Sequence, residues 1–171
     1  MLWKKNKDAV RPAKKKDLER VNALRTQLLE LRGKGRPDFF QKPFGDEMRE
    51  ETRRMLFDKE GLLLVAETDD TVNGYVFASF VRESATILRD GRSFCKVEEI
   101  CVDKACRGQG IGTLLIEALN REVIARGFPK LELNVWAFNS AACAFWTKQG
   151  FTPFLYCMER KVQTEDTSAT N

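Results

Sequence analysis

Histidine is absent from all 171 residues. That removes a Ser-His-Asp triad, a Cys-His pair and any His-ligated metal. A general base must then be a carboxylate, Tyr, Lys, Cys or a relayed water. No apolar run approaches the roughly 20 residues that span a bilayer, so no membrane association is expected. The basic start Met1-Leu2-Trp3-Lys4-Lys5 has no apolar signal core behind it, which predicts a cytoplasmic protein. The five cysteines, Cys95, Cys101, Cys106, Cys143 and Cys157, contain no Cys-x-x-Cys pair. They read as reduced, mostly buried thiols, and no metal site is expected. Charge of one sign is only slightly in excess, at +4. Lys4, Lys5, Lys7 and Lys14 to Lys16 crowd the start, but no nucleic-acid-binding motif accompanies them. They read as a solvated face.

What is present is ordinary for a globular chain: 43% hydrophobic and 32% charged residues. The length suits one domain, expected over 1–162, with 163–171 as a polar, disordered tail. Asp8 to Arg11 reads as a first strand. Asp17 to Leu31 carries a helical stripe of Leu18, Val21, Leu24 or Arg25, Leu28 and Leu31. A loop from Gly33 to Gly45 holds Phe39, Phe40 and Phe44. Asp46 is expected to cap a second helix reaching about Asp58. Leu62 to Glu67 and Gly74 to Arg82 form a hairpin around the turn Thr68 to Gly74. A strand from Phe94 to Val102 and a helix from Gly110 to Arg126 come next. A strand from Leu131 to Trp136, a helix from Asn139 to Gln149 and a last strand from Phe151 to Lys161 complete the order. The class is α/β (mixed α+β), a mixed sheet with helices on its faces.

The informative segment is Val97-Glu98-Glu99-Ile100-Cys101-Val102-Asp103-Lys104-Ala105-Cys106-Arg107-Gly108-Gln109-Gly110-Ile111-Gly112. A strand runs into a short loop, and three glycines at alternate positions open an amphipathic helix. Glycine lets backbone approach a ligand closely. The free N–H groups and dipole of a helix N-terminus attract phosphate, and Arg107 adds forked positive donors. The spacing predicts a phosphate or pyrophosphate cradle. A P-loop lysine is missing, and the dinucleotide pattern Gly-x-Gly-x-x-Gly fails at Thr113 or Leu115.

Arg107-x-x-Gly110-x-Gly112 resembles the Arg/Gln-x-x-Gly-x-Gly/Ala signature of the GNAT superfamily of N-acetyltransferases. Leu131-Glu132-Leu133-Asn134-Val135, followed by Asn139-x-x-Ala142-x-x-Phe145-Trp146-x-x-x-Gly150-Phe151, resembles the family's second cofactor segment. The likeness covers roughly Ala9 to Lys161.

The resemblance implies a central mixed sheet with a splayed pair of parallel strands, Phe94 to Val102 and Leu131 to Trp136. Acetyl-CoA would lie between them. Its pantetheine arm would pair with the backbone of Ile100, Cys101 and Val102, and its pyrophosphate would rest on Arg107, Gly108, Gln109, Gly110, Ile111, Gly112 and Thr113. Asn134, Asn139, Phe145 and Trp146 would close the other side, although core packing explains Phe145 equally well. The implied reaction is direct acetyl transfer to a primary amine through a ternary complex.

A lysine-like amine must lose a proton at pH 7, which costs about 4.6 kcal/mol. The family often places a carboxylate where Glu98 and Glu99 stand. Strand alternation lets only one of them face the substrate, and Glu98 is favoured because Glu99 shares a face with Val97 and Cys101. A strand N–H near Ile100 or Cys101 is placed to stabilise an oxyanion. Trp146 occupies a position where many relatives carry an acidic Tyr, which leaves Tyr156 as a weak substitute acid. Cys101 and Cys106 have no histidine to activate them. Asp38, Asp46 and Glu47 are candidates to attract a cationic acceptor. A non-catalytic acyl-CoA-binding module stays open if neither glutamate faces the cleft, as does a basic nucleic-acid-binding protein. A homodimer is common among relatives, with the last strand or the hairpin as its interface.

Overall fold

The computed structural model describes residues 9–162. Lys4, Lys5, Lys7, the strand start at Asp8 and the tail 163–171 lie outside the described residues. The strands are β1 (Ala9–Pro12), β2 (Gly61–Thr68), β3 (Thr71–Glu83), β4 (Arg92–Val102) and β5 (Leu131–Leu133). The helices are α1 (Leu18–Gly35), α2 (Asp46–Phe57), α3 (Ile111–Ala125) and α4 (Ser140–Lys148). One sheet runs in the order β1-β2-β3-β4-β5, antiparallel except for the parallel pair β4–β5. Among the described residues, no helix is long and apolar enough to cross a membrane.

Each face of the sheet buries its own cluster. Val21 and Leu24 of α1 and Met55 of α2 pack on Leu63, Val65, Tyr75, Phe77 and Cys101. Opposite them, Leu115 and Leu119 of α3 and Trp146 of α4 cover Leu64, Val76, Ala78, Cys95 and Val97. Period-two alternation along β2 and β3 sorts these side chains to the two faces.

Several boundaries differ from expectation for local reasons. Helix α1 runs one turn past Leu31, through Gly33 to Gly35, and closes with the Arg36 N–H on the Arg32 carbonyl. A Cβ on Gly35 would meet the Phe138 ring at 2.0 Å. Gly45, rather than Asp46, occupies the N-cap of α2. The β2–β3 turn is only Asp69-Asp70. Both have positive φ (48° and 61°), and Thr68 pairs directly with Thr71. These are the marks of a type I′ hairpin, which Asp tolerates better than most residues. Strand β5 ends at Leu133, three residues before Trp136. The expected last strand does not form: residues 151–162 lie outside the sheet, Phe151 half-buried against the core and 152–162 exposed.

Asp70→Gly should raise stability by on the order of 0.5 kcal/mol, since Gly carries no left-handed penalty. A urea midpoint that falls would contradict the type I′ assignment.

Candidate active site

Pairing between β4 and β5 lasts for only three residue pairs, Cys95↔Leu131 to Val97↔Leu133. At the next residue β4 carries a bulge. Phe77 faces Glu99 and Ala78 faces Val97, so Glu98 has no partner of its own in the ladder. A bulge bends and twists its strand, and here it coincides with the point where the two strands part. Past it, the edge of β4 from Glu98 to Val102 no longer meets β5. The opening is a cleft of about 80 Å³ lined by Glu98, Glu99, Ile100, Leu133, Asn134 and Asn139, among others. Leu28, Leu31 and Arg32 of α1 and Ala142 and Trp146 of α4 complete its walls. A larger hollow of about 350 Å³ lies elsewhere, among Glu19, Asn22, Ala23, Thr26, Phe44 and Arg49. Neither lining includes a residue of the glycine turn, and only the smaller cleft borders the gap between β4 and β5.

The bulge also corrects the expected facing. Cys95 and Val97 belong to the α3 side and Cys101 to the α1–α2 side, which uninterrupted alternation would forbid. Glu98 and Glu99 therefore both line the cleft. Their surroundings differ. Glu99 accepts bonds from Arg25 Nε (2.9 Å) and Nη2 (3.0 Å) and from the Tyr75 hydroxyl (2.8 Å), with Arg32 at 3.7 Å. Its acceptor positions are largely taken. Glu98 has one partner, Lys96 at 2.9 Å, and its side chain is a third exposed. Of the two, Glu98 is free to accept a proton from a bound molecule.

Sequence reasoning missed the assembly behind Glu99. Arg25, nearly buried on α1, spends all five donors: on Glu99 twice, on Glu51 (2.7 Å), on Thr52 Oγ1 (2.9 Å) and on the Met48 carbonyl (3.0 Å). Burial opposes the charge of Arg25, but the bonds and charge of Glu99 together with Glu51 hold the guanidinium above its ordinary pKa. Burial first, and then the Glu99 charge, push the Tyr75 phenol well above its usual range. Tyr75 is a neutral donor and a poor acid. An arginine inside the apolar stripe of α1 was the available signal for a buried partner.

The glycine turn adopts the conformation its sequence requires. Asp103 accepts from the Ala105 N–H (2.9 Å) and is tied to Arg20 and Gln27 of α1. Gly108 and Gly110 have φ of 78° and 85°, left-handed values that favour glycine, and nothing lies within 4 Å of where their Cβ atoms would be. Gly110 is the N-cap of α3, and Leu114 N–H makes the first bond back to it (3.1 Å). By position, the amides of Ile111, Gly112 and Thr113 have no acceptor within the helix. The Ile111 side chain is in the core, so only its amide is available. Gly112 packs closely on α4: a Cβ there would lie 3.2 Å from the Phe145 ring, which would have to shift by a few tenths of an ångström to admit it.

The other expected residues divide clearly. Cys101 points into the α1–α2 core, where burial pushes its thiol up to about 11 and leaves it a poor nucleophile. The Val102 carbonyl is occupied by Arg107 Nε at 3.2 Å. The Asn139 side chain caps α4 through the Ala142 N–H (3.1 Å). Trp146 is buried between Phe145 and Phe151, with ring centroids at 4.9 and 5.1 Å. Gln109 is exposed on the turn, and Thr113 Oγ1 accepts from Gln149 at 3.0 Å. Tyr156 is 77% exposed on the unpaired segment and is absent from the cleft walls. Phe39 and Phe40 each stand 5.4 Å from Trp136, so the loop after α1 reaches the cleft rim.

Residues 26–151 match the model of the Acetyltransferase (GNAT) family. Mycothiol acetyltransferase of Amycolatopsis mediterranei is 33% identical over 107 residues, 63% of this chain and 35% of that protein. The chain thus spans about a third of the length of that curated relative. Among solved structures, the mutant BH1408 protein from Bacillus halodurans superposes with a TM-score of 0.87 at 26% identity. It covers 91% of this chain and 99% of its own. An aminoglycoside N-acetyltransferase, AAC(6')-Iy in complex with CoA, shares the fold with a TM-score of 0.73 at 20% identity, covering 96% and 100%.

Arg25→Met should cost about 3–5 kcal/mol in urea unfolding, since it removes both charge-assisted bonds to the largely enclosed Glu99 and leaves only Arg32, at 3.7 Å, as a cation beside it. A loss below about 1 kcal/mol, the ceiling for an ordinary surface ion pair, would mean that the network is not closed to water.

Proposed function

The chain belongs to the GNAT acetyltransferase family, and from that membership we propose that it transfers an acetyl group from acetyl-CoA to a primary amine of a small molecule. The observation that carries the reading is the parting of β4 and β5, with β4 running on from the gap through Val102 into the glycine turn that opens α3. The residues fit coenzyme A. Open space beside Gly108 and Gly110 suits a pyrophosphate pressed against backbone, and the free edge of β4 suits an extended amide-bearing arm. When bound, acetyl-CoA supplies its acetyl group as a thioester whose thiol, with a pKa of about 8.5, leaves readily.

The chain's own residues then have distinct tasks. The amides from Gly108 to Thr113 hold phosphate, and Arg107 adds a positive charge beside them. Backbone from Glu99 to Val102 orients the pantetheine arm. Glu98 takes the proton of the incoming ammonium, directly or through water. Arg25 and Tyr75 are positioning residues that fix Glu99 and, through it, the bulged stretch of β4. A protonated Cys101 pointing into the core argues for direct transfer over a covalent thioester on the protein. With Trp146 buried and Tyr156 outside the cleft, no tyrosine stands where it could protonate a thiolate leaving from acetyl-CoA.

Relatives named for mycothiol and aminoglycosides support a small-molecule acceptor. The acceptor would enter past α1 and the Phe39–Phe40 loop. Because acetyl-CoA is its co-substrate, the cytoplasm is the compartment in which the reaction would run.

Release of free thiol from acetyl-CoA, screened over a panel of primary amines, tests this reading. Glu98→Gln should lower kcat by about 10²–10⁴-fold with an unchanged melting temperature. Retention of full activity in that variant would remove Glu98 as the base, and no thiol release with any amine would favour a binding module instead.

A further inference from the structure

Among the described residues, the cleft lining holds two carboxylates, Glu98 and Glu99. Glu99 is already engaged by Arg25 and Tyr75, so Glu98 alone is left to meet a bound ammonium. The carboxylates that the sequence suggested for attracting a cation stand elsewhere. Asp38 is held by Arg36 at 2.8 Å, and Asp46 and Glu47 lie in the first turn of α2. None of the three lines the cleft. The charge that α1 does bring to the lining is positive. Arg32 stands 3.7 Å from Glu99 and 5.7 Å from the centre of the Phe40 ring. A second ammonium on the acceptor would be repelled by that guanidinium.

Much of the remaining lining is apolar. Leu28 and Leu31 of α1 form one wall, and Trp136 and Phe138, from the segment after β5, form another. The two rings are stacked, 29° apart in plane with centroids at 6.1 Å. Phe138 is 37% exposed, and its ring lies against α1 at Gly35, where a Cβ would come within 2.0 Å of it. Only a residue without a side chain lets the ring lie so close to the helix. An aromatic ring left partly open on a cleft wall is a stacking surface for another flat ring.

Resting on the acetyl-transfer reading, we propose that the acceptor is a monoamine with an aromatic body. Its one ammonium faces Glu98, and its ring enters the slot between Leu28 and Leu31 on one side and Trp136 and Phe138 on the other. Phe138 is then a specificity-determining residue. Polycationic amines are disfavoured, because they bring charges that the lining leaves unpaired and that Arg32 opposes.

The test uses the full chain. Titration calorimetry in the presence of CoA reads amine binding without turnover, and thiol release from acetyl-CoA reads transfer. 2-Phenylethylamine should bind at least about ten-fold tighter than propylamine, which has the ammonium without the ring. It should exceed spermidine, a polycation, by a similar factor, and kcat/KM should rank the three amines in the same way. Phe138→Ala should raise KM for 2-phenylethylamine about ten-fold with little change in kcat, a split that loss of folded protein would not give. A chain that prefers spermidine, or treats propylamine and 2-phenylethylamine alike, overturns the proposal and leaves acetyl transfer standing. So does a Phe138→Ala variant whose KM is unchanged. Ring-selective binding without thiol release supports the slot and removes the transfer reading, whereas no binding and no release overturn both. Should Phe138→Ala fail to fold, the parent's ranking of the three amines decides.

Discussion

The structure depends on one extra residue in β4. With Glu98 unpaired in the ladder, the strand changes the side to which its later residues point, and its partnership with β5 stops at Val97. From there β4 turns Cys101 toward α1 and α2 while Ile100 and Val102 pack toward α3. Both glutamates reach the same opening, and the strand leads directly into the glycine turn. A regular strand would keep β5 alongside, pair the amides that now stand free, and send Glu98 and Glu99 to opposite faces.

Holding such an irregularity open requires a rigid surround. Arg25 and Tyr75 fix Glu99 from below with four bonds between them and two carboxylates. The arginine is fully satisfied, so its burial is tolerated, and Tyr75 stays neutral. Farther along, Asp103 ties the loop before α3 to Arg20 and Gln27 of α1. Packing of Gly112 against Phe145 and the Gln149 bond to Thr113 join α3 to α4. The cleft therefore lies between two helical layers, each bonded to the strand or turn that forms it.

Much of this was legible in the residues. The alternating glycines after Arg107 announced a strand-to-helix turn that needs glycine, and Gly108 and Gly110 take left-handed angles there. The order of elements through α4 followed from periodicity, because Leu115, Leu119 and Val123 repeat at helical spacing. Strand facing was less legible, since a bulge leaves no compositional mark and shifts every side chain after it. The Arg25 network was hidden for a related reason: partners 23 to 74 residues away in sequence are joined only by the fold. The last strand was misjudged because apolar β-formers report a preference for a sheet, not whether a neighbouring strand is there to pair with.

The central claim is that the opening between β4 and β5 and the amides of the glycine turn form one binding site for acetyl-CoA. Melting temperature with and without acetyl-CoA, measured for the parent chain and for Gly110→Glu, tests it most directly. At a hundred times the dissociation constant, the ligand should add about 2.7 kcal/mol of stability to the parent. The glutamate fills the space beside Gly110 with negative charge, so the variant should show no shift. A parent that does not respond to millimolar acetyl-CoA, or a variant that responds equally, would contradict the account.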